Sequence, residues 1–102
     1  MATITKRDLV IKISNETGLT QNQVFEVLQN ALDSMTEHLA AGNTVVMRNF
    51  GAFQVREMKA KVGRNPKDPN TDVPIPARAV VKFKPGKEMK EKVARILPEL
   101  QR

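Results

Sequence analysis

The sequence predicts an α+β fold: two N-terminal helices, a three-stranded antiparallel sheet with a long β-arm, and a short C-terminal helix. Three observations predict it. Apolar residues recur at helical spacing in residues 1–43, alternate at strand spacing in residues 44–85, and return to helical spacing in residues 86–97. A chain of 102 residues has room for one small core, so we expect a single domain over residues 1–102 with these three parts.

Each of the first two helices is expected to begin at a capping box. Thr5 and Asp8 stand three residues apart before the first apolar run, and Thr20 and Gln23 repeat that spacing before the second. In such a pair each side chain accepts a hydrogen bond from a backbone N–H that the helix leaves unpaired. Gly18 suits the left-handed residue that follows a helix. The sequence thus predicts two consecutive helices separated by a short turn.

The second helix carries a wide apolar stripe from Val24 to Leu39, which indicates packing against more than one partner. Two helices around a short turn also suggest a helix-turn-helix motif, but charge argues against it. A recognition helix must approach phosphates, yet no Lys or Arg occurs between Ile13 and Met47. We therefore expect these helices to be scaffold.

The predicted strands separate apolar from basic side chains. They cover residues 44–48, 52–59 and 78–84, with a turn at residues 49–51. Alternate residues of a strand lie on opposite faces of its sheet, so one face is predicted to be apolar. The other face is predicted to carry the basic residues Arg56, Arg78, Lys82 and Lys84.

Charge is distributed unevenly along the chain. Residues 1–47 have a net charge of −2, whereas residues 48–95 hold thirteen basic and five acidic residues, a net of +8. A basic half beside a mildly acidic half is typical of proteins that bind a polyanion, nucleic acid before a membrane surface. The alternative interpretation is an ordinary solvated surface. For the basic C-terminal helix taken alone, a solvated amphipathic helix and a helix in contact with phosphates explain the sequence equally well.

The composition argues against an enzyme. His38 is the single histidine, cysteine is absent, and no nucleophile stands at a recognisable spacing from a base, so we expect no catalytic residue, metal or cofactor. The chain has no Trp or Tyr, so few aromatic side chains are available to stack on the bases of single-stranded nucleic acid. A basic RNA-binding module stays open as an alternative, because charge does not distinguish DNA from RNA. No apolar run is as long as a membrane span, which predicts a cytoplasmic location.

A proline-rich basic stretch interrupts the strand pattern. Residues 63–83, GRNPKDPNTDVPIPARAVVKF, hold four of the six prolines. Proline has no N–H donor and a fixed φ, which suits an edge ribbon that pairs with no further strand. The stretch has too little apolar content to fold onto a core, so it is predicted to project as an arm.

Three segments resemble the HU and integration host factor family of bacterial histone-like, DNA-bending proteins. They are Phe50–Phe53 (FGAF), Gly63–Lys67 (GRNPK) and Ala77–Lys87 (ARAVVKFKPGK). The resemblance covers nearly the whole chain. It implies an intertwined dimer in the bacterial nucleoid, whose helices form a compact body and whose two arms clasp double-stranded DNA.

The resemblance also implies which residues act. Pro66 at the arm tip is expected to enter a base step in the minor groove and kink the duplex, as rigid apolar side chains do. The expected DNA-binding residues are Thr5, Lys6, Arg48, Arg56, Lys59, Lys61, Arg64, Asn65, Pro66, Lys67, Arg78, Lys82, Lys84, Lys87 and Lys90. The expected dimer core residues are Leu28, Leu32, Met35, Phe50, Phe53 and Phe83.

The sequence departs from the family pattern at several points. The arm turn at residues 68–72 is longer than usual and lacks glycine, and Asp68 and Asp72 weaken the positive field near the tip. Asn49 stands where glycine is common, so the turn there relies on the tolerance of Asn for positive φ. Pro76 removes one potential ladder hydrogen bond.

The branch of the family is harder to predict. Residues 73–75 and 77–81 look more like integration host factor, whose two chains differ and which prefers certain sites. A homodimer, however, requires no second kind of chain, and the sequence gives no sign of one. We therefore expect a homodimer with largely sequence-tolerant binding, with a site-preferring heterodimer as the alternative.

Overall fold

The computed structural model of the protein describes residues 2–65 and 68–101, of which residues 64, 65 and 68–71 are described as backbone only. The chain divides into two compact units, residues 1–37 and 38–102. The elements in chain order are α1 (Lys6–Thr17), α2 (Gln21–Ala40), β1 (Val45–Met47), β2 (Gly51–Met58), β3 (Lys61–Asn65), β4 (Asp68–Ile75), β5 (Arg78–Pro85), α3 (Lys87–Ala94) and α4 (Leu97–Leu100).

The predicted capping boxes start both α1 and α2. The Thr5 hydroxyl accepts a hydrogen bond from the Asp8 N–H at 3.2 Å, and the Asp8 carboxylate accepts one from the Thr5 N–H at 2.9 Å. At the start of α2 the Thr20 hydroxyl accepts from the Gln23 N–H at 3.1 Å, and the Gln23 side chain accepts from the Thr20 N–H at 3.0 Å. Gly18 follows α1 with φ 78°, as predicted for a left-handed cap.

The strands form two antiparallel sheets. β1, β2 and β5 make a three-stranded sheet with β2 in the middle, and β3 pairs with β4 in a two-stranded arm. Asn49, in the turn between β1 and β2, has φ 69°, which confirms the predicted positive φ. Met58 pairs with Arg78 and Lys61 with Ile75, so the same register continues from the sheet into the arm although the intervening residues are not paired. Pro76 lies in this interruption and has no N–H to donate there.

The C-terminal helix differs from the prediction over residues 86–97. α3 ends at Ala94, and a tight turn in which the Ile96 N–H donates to the Val93 carbonyl at 3.1 Å leads into α4. Pro98 follows the helix predicted over residues 86–97, and a proline at that point favours a helix end, but in the structure it does not act as one. It lies in the first turn of α4, where a proline is tolerated because that position needs no intrahelical N–H.

The single chain buries very little of its apolar surface. Among the described residues the only buried apolar side chains are those of Val10 in α1, 5% exposed, and Val24 in α2, 4% exposed. The residues expected in a dimer core stay partly or largely accessible; Phe50 is 48% exposed and Phe83 is 37% exposed. A chain of this size must cover more apolar area than this to be stable.

Candidate nucleic-acid interface

The register of β2 and β5 gathers basic side chains on one face of the three-stranded sheet. Residues directly opposed across an antiparallel ladder share a face. Lys82 lies opposite Gln54, and Arg56 donates a hydrogen bond to that same Gln54 side chain at 3.2 Å. The remaining pairs of this face are Ala52 with Lys84, Arg56 with Val80, and Met58 with Arg78. We call the surface formed by Arg56, Arg78, Lys82 and Lys84 the basic face; the sequence predicted these four residues for it.

The opposite face of the same sheet is apolar. Phe53 lies opposite Phe83 with ring centroids 4.8 Å apart, and Phe50 lies 5.6 Å from the same Phe83 ring. Val55 and Val81 continue this face along the strands. Tilted aromatic pairs at such distances add to the stability from burial and fix the strand register. The register in turn orients the basic face.

Within the described part of the chain, no side chain of the basic face forms an ion pair. Two exposed ion pairs lie elsewhere, Lys12 with Glu16 at 2.9 Å and Lys92 with Glu88 at 3.1 Å. Neither involves a predicted DNA-binding residue. Clustered positive charges without acidic partners repel one another, and a polyanion bound against them relieves that repulsion.

The other predicted cations on described side chains lie around the sheet and helices. Arg48 follows β1, and Lys59 precedes the arm. Lys61 begins β3, opposite Ile75. Lys87 and Lys90 belong to the first turn of α3, and the Lys90 N–H donates to the Gly86 carbonyl at 3.0 Å. All five are exposed, so water, ions or a ligand can reach each of them.

Lys6 has intramolecular contacts that local sequence spacing did not predict. Its ammonium group donates a hydrogen bond to the Gln29 side-chain oxygen and lies 5.1 Å from the centroid of the Phe25 ring. Gln29 also donates to the Asp33 carboxylate at 2.9 Å. Phe25 and Gln29 are four residues apart on α2 and therefore share a face, which is the one signal in the sequence that relates them.

The capping box at the start of α1 shifts the pKa of a carboxyl group. The pKa of Asp8 lies below its ordinary value of 3.8, chiefly because the Thr5 backbone N–H donates to it. The Thr5 hydroxyl donates to it as well, at 3.0 Å. Thr5 therefore caps α1 as predicted, and its contact with DNA stays a prediction.

The arm tip lies outside the described residues. Pro66 and Lys67 are not described, and Arg64 and Asn65 are described as backbone only, within β3. The roles predicted for these four residues stay predictions. Two other findings concern the described residues alone: no group of His, Asp and Glu is arranged to hold a metal ion, and no helix is long and apolar enough to cross a membrane.

Comparison with known proteins identifies the family. The sequence profile of the bacterial DNA-binding protein family matches residues 4–94. The chain belongs to this family. It is 50% identical over 90 residues to the probable DNA-binding protein HU of Chlamydia trachomatis, covering 88% of this chain and 90% of that protein. It is 40% identical over 91 residues to the integration host factor subunit alpha of Maricaulis maris, covering 89% of each chain.

Solved structures of the HU type share the fold. The cocrystal structure of Anabaena HU with DNA matches with a TM-score of 0.80 and 40% identity, covering 88% of this chain and 97% of that one. HU from Thermotoga maritima matches with a TM-score of 0.62 and 30% identity, covering 87% and 97%. These similarities confirm the α+β fold with an arm and a short C-terminal helix. The family is one of DNA-binding proteins rather than of enzymes.

Proposed function

We propose that the protein is a nucleoid-associated, histone-like protein that binds double-stranded DNA and bends it. The observation that carries this proposal is the basic face, on which the register of β2 and β5 collects cations that have no acidic partner among the described residues. Lysine and arginine on such a face neutralise phosphates and release their counterions, which drives binding to any duplex sequence. The similarity to an HU protein solved with DNA supports the same reading.

The binding form is a homodimer. Phe50, Phe83 and Leu32 are 37–48% exposed in the single chain, although large apolar residues of a stable domain are mostly buried. A second subunit would cover them, and two copies of this chain suffice. The proposal for the core therefore keeps all six predicted residues, Leu28, Leu32, Met35, Phe50, Phe53 and Phe83.

The arms carry the bending step. β3 and β4 form a two-stranded ribbon, narrow enough to enter a groove, and Pro66 lies between them in the sequence. Pro66 enters a base step from the minor groove, with Arg64 and Asn65 beside it. Unstacking a step costs about a few kcal/mol, which is offset when the bent duplex reaches more cations.

Binding is largely sequence-tolerant in this proposal. The probable HU protein of Chlamydia trachomatis is 50% identical to this chain, whereas the integration host factor subunit alpha of Maricaulis maris is 40% identical. A site-preferring subunit that pairs with a different chain is the second candidate, supported by that 40% identity over most of its length. The two candidates differ in whether the purified chain alone forms a dimer and binds random duplexes as tightly as selected sites.

The bending step is tested with a short duplex that carries a fluorescent donor and acceptor at its ends. The wild-type protein should raise the energy transfer, and Pro66→Ala should lower that gain while the dependence of affinity on salt stays unchanged. Pro98→Ala, in the first turn of α4, removes a proline outside the arm and is the matched control. Bending by Pro66→Ala equal to that of the wild type would refute the wedge.

Competition between a DNA duplex and an RNA duplex of equal length tests whether the protein prefers DNA. A-form RNA has a different groove shape and resists entry of a wedge, so DNA should compete far better. Equal competition would favour the alternative of a basic RNA-binding module.

A further inference from the structure

One acidic residue of the arm stands directly across from a predicted DNA-binding cation. In the ladder between β3 and β4, Arg64 is opposed to Asp72. Directly opposed residues of an antiparallel ladder share a face of the ribbon. The next pair on that face is Val62 with Pro74, both exposed and apolar. The register therefore places an acidic residue, Asp72, directly across the ladder from Arg64.

This pairing is unlike the other cross-strand pairs of the chain. On the basic face each cation is opposed to an uncharged residue; Lys82, for example, stands across from Gln54. Lys61, the other cation of β3, stands across from Ile75. Among the ladders that the structure describes, no other cation is opposed to an acidic residue.

We infer that Asp72 sets the strength of the arm's attraction to DNA by offsetting the charge of Arg64. This inference rests on the proposed function. Opposite charges directly across an antiparallel pair attract, so phosphates must compete with Asp72 for Arg64. The electrostatic contribution of the arm to DNA affinity is therefore smaller than its cations alone would give. The affinity of the arm for DNA then depends more on the insertion of Pro66 into a base step.

The test compares two substitutions that each remove one negative charge. Asp72→Asn acts on the Arg64 face of the arm, whereas Glu57→Gln, near the end of β2 and opposite Ala79, acts on the other sheet and away from the basic face. With a short random duplex, Asp72→Asn should raise the affinity about 1.5- to 5-fold for each arm. It should steepen the slope of log K against log salt by up to about 0.9 for each arm. Glu57→Gln should change neither quantity to this extent.

A double-mutant cycle with Arg64→Gln separates a direct effect from a general change in charge. If Asp72 acts through Arg64, Asp72→Asn should give little gain in the Arg64→Gln background. A full gain in that background, or an equal gain from Glu57→Gln, would overturn the inference while the proposed function stands. Failure of the wild-type protein to bind any duplex would overturn the proposed function and this inference with it. Circular dichroism of each variant confirms that the fold is intact.

Discussion

Replacement of Lys82 by alanine tests the basic face directly. Lys82 is exposed, lies opposite Gln54 in the middle of the β2–β5 ladder, and belongs to no ion pair among the described residues. Its loss therefore removes a positive charge without leaving an acidic group unpaired. The fold should persist, because the apolar pairs on the opposite face are unchanged.

The expected change follows from counterion release. Each phosphate neutralised contributes a slope of about −0.9 to log K against log salt. A homodimer presents Lys82 twice, so the slope should become shallower by about 1.8. Between 50 and 200 mM salt, the wild type should then lose about twelve-fold more affinity than Lys82→Ala. The weakening should be the same for all duplex sequences, since phosphate contacts carry no sequence information.

The assay is a fluorescence anisotropy titration of a labelled duplex at four or more salt concentrations. Lys12→Ala is the control, because Lys12 lies 2.9 Å from Glu16 in an exposed ion pair and is not a predicted DNA-binding residue. A slope unchanged in Lys82→Ala, or changed equally in both variants, would refute the assignment of the basic face as the DNA-binding surface.

Three further predictions concern stability. Phe53→Ala should destabilise fold and dimer together by about 3–5 kcal/mol in urea unfolding, because its ring packs 4.8 Å from that of Phe83; a folded monomer in sedimentation would contradict this. Gly51→Ala should lower the free energy of unfolding by about 1–3 kcal/mol, because a Cβ at this position would lie 2.6 Å from the Lys84 carbonyl oxygen and from the Phe83 ring. The thermal unfolding midpoint should fall accordingly, and an unchanged midpoint would contradict this close contact. The hydrogen bonds from Thr5 lower the pKa of Asp8 in the folded state, so the stabilisation from this cap is present above pH 3.8 and is lost as the pH falls through the folded-state pKa. Thr5→Ala should therefore raise the pKa of Asp8 in an NMR titration. An unchanged pKa would show that Thr5 does not cap the helix through Asp8.

The candidate interface was largely predictable because it depends on period-two alternation. The basic residues of β2 and β5 fall on one face for any register that keeps the apolar face together. The contact of Lys6 with Phe25 and Gln29 was not predictable, since it joins two helices through side chains distant in sequence. The opposition of Arg64 and Asp72 depends on a register that runs from the sheet into the arm, and alternation alone does not specify which residues stand opposite each other.

The sequence by itself determined the elements whose causes are local. The capping boxes at Thr5 and Thr20 and the left-handed Gly18 depend on residues three or four positions apart, and the structure reproduces each of them. The tertiary structure decided the rest. Pro98 is compatible both with a helix stop and with a first turn, and only the folded chain shows which applies. Only the structure, too, shows that one chain leaves Phe50 and Phe83 accessible, because burial is a property of everything packed around a side chain and not of its own position in the sequence.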